Sequence, residues 1–347
     1  MSGSWRFHPA AEAAEAPDWA EAFLEIDRLW TAGQAVGRTS GSTGMPADID
    51  FTPDAVRASA HATARHFGLA EQEAGSVCVW SGLPTAGVGG RMMWWRCRIL
   101  GWHLTQSRPS SAPDLPPPPE GKDRYALAVA TPQQAHHLAE TGALAHVALL
   151  LLGGAPVSAA LESRLLAAAQ TSGCHIHHGF GMTETLTHIA TRPLGTSTYR
   201  PLPGVVLDVG PDGGLIVTDP QRGVHRLQTR DAVRAAAEGI ASGFEWLGRL
   251  DHVINTGGVK VHPEHTEARL AASLGECLDD RRWYLAGRAH AVTGQQVTLV
   301  VEGMPDDALE VACLQRAAEV CSGPERPRSV EWQLQFEETD SGKVLRR

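Results

Sequence analysis

The chain has 347 residues, 43% hydrophobic and 20% charged, which is enough apolar material for more than one core, so two domains are expected. Its formal charge of −9 gives no general attraction to phosphate backbones or anionic lipid; this argues against nucleic acid as the main partner and leaves room for a local basic cleft around a nucleotide. No apolar run approaches the roughly 20 residues that cross a bilayer, and the opening residues carry acids and prolines where a signal peptide is apolar, so a soluble, untargeted, cytoplasmic protein is expected.

The first predicted element is a helix from about Trp19 to Trp30, followed by a polar run, Thr39, Ser40, Gly41, Ser42, Thr43 and Gly44, that cannot be a core element. Thr52 should cap a helix with Pro53 in its first turn and an end near Gly68. Short apolar runs at Ser76–Trp80, Tyr125–Ala130, His146–Leu152 and Cys174–His177 alternate with helical stretches near 88–100, 133–141 and 157–170, the pattern of parallel strands with crossover helices. The proline-rich segment 107–120 reads as a surface spacer. After Pro201 the pattern changes to short strands and turns, Val205–Val209, then Gly213 and Gly214, then Leu215–Thr218, which predicts a small antiparallel subdomain. Residues 250–347 have strands and helices of their own, including the run Val297–Val301 and a helix near Leu309–Val320, and are numerous enough to fold separately. The expected class is α/β: a large domain with a mostly parallel sheet and an antiparallel subdomain, residues 1–249, then a small α+β domain, residues 250–347.

The six cysteines, Cys78, Cys97, Cys174, Cys277, Cys313 and Cys321, form no C-x-x-C pair and fit buried reduced thiols. A metal reading of Cys174, His175, His177 and His178 is disfavoured, because the run looks like a strand whose neighbouring side chains face opposite ways. Only Lys122, Lys260 and Lys343 supply lysine among 30 basic residues, so each such position carries more information than usual.

Four segments bear chemistry. Residues 39–46 (TSGSTGMP) offer closely spaced backbone N–H groups and hydroxyls of the kind that wrap a polyphosphate, although by itself such a run is an ordinary linker. Gly179, Phe180, Gly181, Met182, Thr183, Glu184 and Thr185 follow a predicted strand at the carboxyl edge of a parallel sheet; there Glu184 can meet magnesium, or Thr183 can simply cap a following helix. Gly248–Pro263 places a charged pair before the Gly257-Gly258 turn. Residues 338–347 end on Lys343 in a glycine-containing turn, where a lysine is usually a solvated charge.

Together and in this order, the four segments resemble the adenylate-forming superfamily of acyl-CoA synthetases, aryl-acid ligases, peptide-synthetase adenylation domains and luciferases, over about residues 38–347. The resemblance implies ATP, magnesium and coenzyme A as cofactors and a small carboxylic acid as substrate. It implies that Thr183 and the hydroxyls of 39–44 bind phosphates, that Glu184 meets the metal, and that Asp231, in the run QTRD, binds ribose together with Arg249. Lys343 is then the adenylation lysine, Asp251 a hinge about which the small domain moves, and Gly257 with Gly258 part of the loop that receives coenzyme A. The stretches 182–194, 199–205 and 254–264 look most like compact o-succinylbenzoate-CoA ligases of menaquinone biosynthesis. An acyl pocket lined by residues 83–93, 177–181 and 186–190 follows, with Arg91, His177 and His188 as substrate residues and Arg91 facing a second carboxylate. Arg91 is also a plausible surface charge. Two departures stand out: Ala47 and Asp48 take the place of the lysine that usually follows the loop proline, which predicts weaker pyrophosphate contact, and the large domain looks shortened at its N-terminus. The rival readings are the same chemistry on another aryl or acyl acid, and a nucleotide-binding relative without activity.

Overall fold

The structure is a computed structural model that describes residues 4–7, 20–38, 47–73, 75–279, 281–338 and 344–346. The chain runs through strand β1 (Ser4–Phe7), helix α1 (Glu21–Thr31) and a hairpin of β2 (Ala35–Arg38) with β3 (Asp48–Phe51) into helix α2 (Pro53–His66). Thr52 caps α2 as its sequence predicts. Its hydroxyl accepts the N–H of Ala55 at 3.2 Å, and Pro53 occupies the first turn, where a missing N–H leaves no bond unmade.

Next come β4 (Cys78–Ser81), α3 (Val88–Leu100), β5 (His103–Ser107), β6 (Leu127–Ala130), α4 (Pro132–Glu140), β7 (Leu149–Leu152), α5 (Ala159–Ser172) and β8 (His175–Met182). The predicted alternation is present, with β5 as an additional strand. The spatial order is β5-β4-β6-β7-β8, all neighbours parallel. Strands β4 and β6 are buried along their whole length, which is why they read as unbroken apolar runs. From β4 the chain moves outward to β5 and returns on the other side of β4 as β6, so the direction of winding reverses between β4 and β6. The crevice beyond the carboxyl ends of such strands is where open α/β sheets take ligands.

The remaining strands of this sheet are β9 (Thr187–Pro193), β10 (Thr198–Pro201), β11 (Val206–Val209), β12 (Gly214–Asp219), β13 (Val224–Ala236) and β14 (Gly239–Arg249). They are antiparallel, as predicted, and they continue the parallel half through β8-β9-β10-β14-β13-β12-β11; with β1 paired antiparallel to β5 at the opposite edge they make one sheet of 12 strands. Their core holds Phe180, Tyr199 and Phe244, with the Tyr199 and Phe244 rings stacked at 5.4 Å and Phe180 edge-on to Phe244 at 5.0 Å.

A single 3-10 turn, Leu250–His252, leads to the second sheet: β15 (Ile254–Thr256), β16 (Val259–Val261), α6 (Pro263–Leu278), β17 (Trp283–His290), β18 (Gly294–Glu302), α7 (Asp307–Val320) and β19 (Ser329–Gln333). Its order is β16-β15-β18-β17 with β19 parallel to β18, and its core, around Leu270, Leu274, Leu299, Val301 and Cys313, is separate from the other clusters. All six cysteines are free thiols, with Cys277 half-buried and the rest buried. No helix among the described residues is long and apolar enough to cross a membrane.

One polar brace ties α5 to the sheet. Arg192 of β9 forks onto Glu162 of α5 at 2.9 and 3.0 Å, and Glu162 also accepts the N–H of Gly195 at 2.6 Å. Burial would raise the Glu162 carboxyl, but the bonds from Arg192 and Gly195 outweigh it and hold the group below its usual value. Beside the brace, His178 donates from Nε2 to Ala155 O at 3.0 Å and so accepts the Tyr199 hydroxyl on Nδ1 at 2.7 Å; burial, with the Arg192 charge, lowers its pKa to about 4.

Two stability measurements follow. Replacing Thr52 with Ala leaves the Ala55 N–H without its cap and is expected to cost about 1 kcal/mol in denaturant unfolding. Glu162→Gln breaks a largely buried pair and is expected to cost about 3 kcal/mol at neutral pH. Because the native carboxyl lies below its ordinary 4.5, this contribution is fully present above about pH 4.5 and is lost as pH falls through the native pKa. The variant should therefore show a flatter fall in stability below pH 4.5 than the parent; parallel curves would refute the assignment.

Candidate active site

Strands β2 and β3 pair in the register Arg38↔Asp48, so the described chain closes on both sides of residues 39–46. Thr39, Ser40, Gly41, Ser42, Thr43 and Gly44 themselves lie outside the described residues. What is visible is how the ends of the run are held. Arg38 O accepts a long bond, 3.4 Å, from the hydroxyl of Thr183, and a Cβ on Gly37 would lie 3.3 Å from Thr183 Cγ2 and 2.5 Å from the Phe51 ring. The fold thus brings the first segment up to the second. Asp48, the acid near the expected lysine position, lies 3.7 Å from the Arg38 guanidinium across the hairpin, where its charge is matched.

The second segment is not a strand-to-helix turn. Gly179, Phe180, Gly181 and Met182 belong to β8; Thr183, Glu184 and Thr185 form one 3-10 turn, and the chain then returns antiparallel as β9. Thr183 therefore caps no following helix. The reversal is tight: a Cβ at Gly181 would sit 2.0 Å from Thr187 O, so only glycine fits there. Leu186 and Thr187 adopt positive φ, +52° and +82°, a conformation disfavoured for a β-branched residue and typical of sites where surrounding contacts over-determine the backbone. Those contacts are present: Thr185 Oγ1 accepts the N–H of Met182 at 3.1 Å and reaches Thr187 O at 2.8 Å, while Ser59 of α2 donates to Leu186 O at 3.1 Å. The turn holds Thr183 half-buried and Glu184 exposed.

Asp231 and Arg249 face each other in the β13–β14 register, 3.8 Å apart. Asp231 also accepts the indole N–H of Trp246 at 3.0 Å, and burial pushes its carboxyl above the ordinary value despite that bond and Arg249. Asp251 follows in the connecting turn, with one oxygen held by Arg230 and the other by Arg249; the Arg230 bonds, first among the causes, keep its carboxyl below the usual range. Gly257 and Gly258 make the two-residue turn between β15 and β16 with φ of +59° and +83°, the geometry that requires glycine in such hairpins. Lys343 lies outside the described residues; its neighbour Val344 bridges Glu338, and Arg346 forks onto Glu267 of α6 at 2.8 Å through both nitrogens.

On the acyl side, the Arg91 guanidinium is engaged by backbone, donating to Thr85 O at 2.8 Å and Val36 O at 2.7 Å, where it ties α3 to β2. His177 stands edge-on to Phe67 at 5.5 Å with Nδ1 buried and unpartnered among the described residues, and burial lowers its pKa. His188 is 6% exposed, close to Thr63 Oγ1 at 3.4 Å, and burial holds it well below the usual imidazole range, with Arg96 and Arg222 acting the same way. The sequence reading overlooked these two arginines. Arg96 of α3 is 2% exposed, donates to Thr187 Oγ1 at 3.0 Å and leaves Nε without a partner among the described residues. Arg222 is 4% exposed, pairs with Asp219 at 3.0 Å, donates to His188 O at 3.0 Å and leaves one Nη unpartnered among the described residues. Burial, then the mutual repulsion of the two guanidinium groups, works against the charged form of Arg96. The available signal was an arginine in the middle of an apolar helical run, residues 92–97 (MMWWRC).

Residues 38–223 match the AMP-binding enzyme family. The chain is 27% identical over 318 residues, 82% of its length and 76% of the counterpart, to the Probable 2-succinylbenzoate–CoA ligase of Mycobacterium tuberculosis. It is 28% identical over 192 residues to the acetyl-coenzyme A synthetase of Shewanella denitrificans, a match spanning 46% of this chain and 28% of that one. Among solved structures, the acyl-CoA synthetase (AMP-forming)/AMP-acid ligase II-like protein of Dyadobacter fermentans superimposes with a TM-score of 0.62 at 26% identity, covering 98% of this chain and 97% of the other. The o-succinylbenzoate CoA synthetase of Bacillus subtilis in complex with its acyl-adenylate intermediate shares the fold, with a TM-score of 0.70 at 18% identity over 90% of this chain and 67% of that one. The family match extends over more than half the chain and begins at the hairpin that carries the first segment, so the protein belongs to the AMP-binding enzyme family, the adenylate-forming superfamily of acyl-CoA synthetases.

Proposed function

We propose that the protein is an acid–CoA ligase that joins a carboxylate to AMP and then transfers the acyl group to coenzyme A, with o-succinylbenzoate as the acid. The observation that carries the reading is the approach of the β8–β9 turn to the β2–β3 hairpin through Thr183 and Arg38, which supports a phosphate site shared by two segments distant in sequence. In the first half-reaction a carboxylate oxygen attacks the α-phosphorus of ATP, the bond to pyrophosphate breaks, and negative charge builds on the α-phosphate oxygens. Lys343 is the cation assigned to that charge, Thr183 and the hydroxyls of residues 39–44 are assigned to the phosphates, and Asp231 with Arg249 to the ribose. One exposed carboxylate, Glu184, beside phosphate oxygens is a usual magnesium environment, and the ion would offset phosphate charge there. In the second half-reaction the thiol sulfur of coenzyme A attacks the acyl carbon and AMP leaves. Residues 250–347 are assigned to a small domain that turns about Asp251 between the steps, withdrawing Lys343 and presenting Gly257 and Gly258.

The choice of o-succinylbenzoate rests on its two carboxylates. One reacts; the other suits the buried cations Arg96 and Arg222, whose unpartnered N–H groups are a better match for an anion than Arg91, already bonded to two carbonyls. The likeness to the mycobacterial ligase over most of both chains supports the same acid.

Pyrophosphate release with ATP, magnesium and o-succinylbenzoate, compared with benzoate and a medium-chain fatty acid, tests the reading; release and, with coenzyme A, thioester formation are expected only for the first. Release with a different acid would keep the ligase and discard this substrate, and silence with all three would favour a binder without activity. Lys343→Ala is expected to lose pyrophosphate release by about a thousandfold while still forming thioester from supplied acyl-adenylate. Arg96→Met is expected to raise the KM for o-succinylbenzoate by roughly thirtyfold or more, the scale of a lost charged hydrogen bond, at unchanged KM for ATP. An unaltered KM for the acid would remove Arg96 from the substrate site.

A further inference from the structure

We infer that Arg230 is a positioning residue that latches the Asp251 turn in the orientation seen here and so sets the balance between the two half-reactions; the inference rests on the two-step reading above. Arg230 stands between Thr229 and Asp231 on β13, beside the residue assigned to ribose. Its guanidinium does not point along β13 to its neighbours. Both Nε, at 2.9 Å, and one Nη, at 2.5 Å, converge on a single oxygen of Asp251, 21 residues later in the turn between the two sheets.

The geometry makes this contact selective for one orientation. Arg249, which holds the other Asp251 oxygen at 3.0 Å, ends β14 beside the turn, whereas Arg230 reaches the turn from the neighbouring strand β13. Arg230 is fixed in the large sheet, so a backbone rotation at Asp251 carries the carboxylate out of the reach of its fork. The same junction contains a cleft of about 520 Å³ between the β11–β12 turn and β16, lined by Asp212, Arg230, Leu250, Val253, Lys260 and His262. That space is room for the small sheet to move once the fork is released. Elsewhere the docked arrangement is held by close approach of α6 to β14: a Cβ at Gly248 would lie 2.1 Å from Glu264 Oε2, and His265 is 4.0 Å from Glu245. The Arg230–Asp251 pair is half-exposed, so its worth is that of a surface ion pair, small against folding but enough to tilt two orientations of similar energy.

The test compares the parent with Arg230→Gly and Arg230→Lys. Spin labels on Val206→Cys of β11 and Met304→Cys in the connection after β18, both exposed, report the distance between the two parts of the chain, with the unsubstituted chain as the background for native thiols. Arg230→Gly is expected to broaden or shift the distance distribution and Arg230→Lys to fall between it and the parent; superimposable distributions would overturn the latch. The two half-reactions, pyrophosphate release from o-succinylbenzoate with ATP and thioester formation from the supplied adenylate with coenzyme A, are expected to change in opposite directions by about two- to fivefold in Arg230→Gly, the scale of one exposed pair. A common factor on both rates would overturn the positioning role. In an Asp251→Asn background the Arg230→Gly change should add little, and a full additional effect would also count against the pair. Absence of both half-reactions in the parent would refute the ligase reading while the distance measurement still decides the latch.

Discussion

Beneath the carbonyl of Thr187 there is room for hydrogen and for nothing larger, and Gly181 supplies it. That close approach lets β8, the last of five parallel strands, turn back on itself as β9 within the few residues of one 3-10 turn. Two features depend on the reversal. The parallel half of the sheet is joined to the antiparallel half as one surface, and Thr183 and Glu184 are pushed out at the seam, at the carboxyl edge where the winding of the sheet directs a ligand. The left-handed backbone at Leu186 and Thr187 is the strain that goes with this turn, and α2 helps to hold it through Ser59.

Charge is managed differently on the two sides of the turn. Toward α5, Arg192 and Glu162 satisfy one another with good geometry, so the pair works as a brace. Toward α3, Asp219 pairs with Arg222 while Arg96 bonds only Met93 and the Thr187 hydroxyl, leaving two buried donors, one on each arginine, unmet among the described residues. The first cluster is satisfied within the fold, and the second carries the unmet donors on which the proposed acid site rests. His178 and His188 sit beside these clusters as neutral imidazoles, kept so by burial first and by the neighbouring guanidinium groups second.

Beyond the antiparallel half the chain passes to its second sheet. The last strand, β14, carries the chain directly into the turn at Asp251, and the second sheet has a core of its own. Separate cores joined through one turn can change their relation without unfolding either. Asp251 lies in that turn, and its carboxylate is shared by arginines from two strands.

Local rules read from the sequence account for much of this. The capped start of α2 at Thr52, the strand–helix alternation from β4 to β8, the Gly257-Gly258 hairpin and the four chemical segments in order are all properties of short windows, fixed by capping, periodicity and turn chemistry. Tertiary structure alone decided the rest. That Thr183 precedes a returning strand and no helix depends on the partner strand β9, and that β2 and β3 clasp residues 39–46 depends on pairing across a polar run with no periodic signal. Arg91 and Arg96 are five residues apart on one helix and look alike as letters; one is spent on backbone carbonyls and the other is sealed beside Arg222, because burial and hydrogen-bond partners come from elements distant in the chain, β2 for Arg91 and the β8–β9 turn for Arg96. A side chain's type is written in the sequence, whereas its dielectric surroundings and its unmet bonds are set by what the fold brings against it.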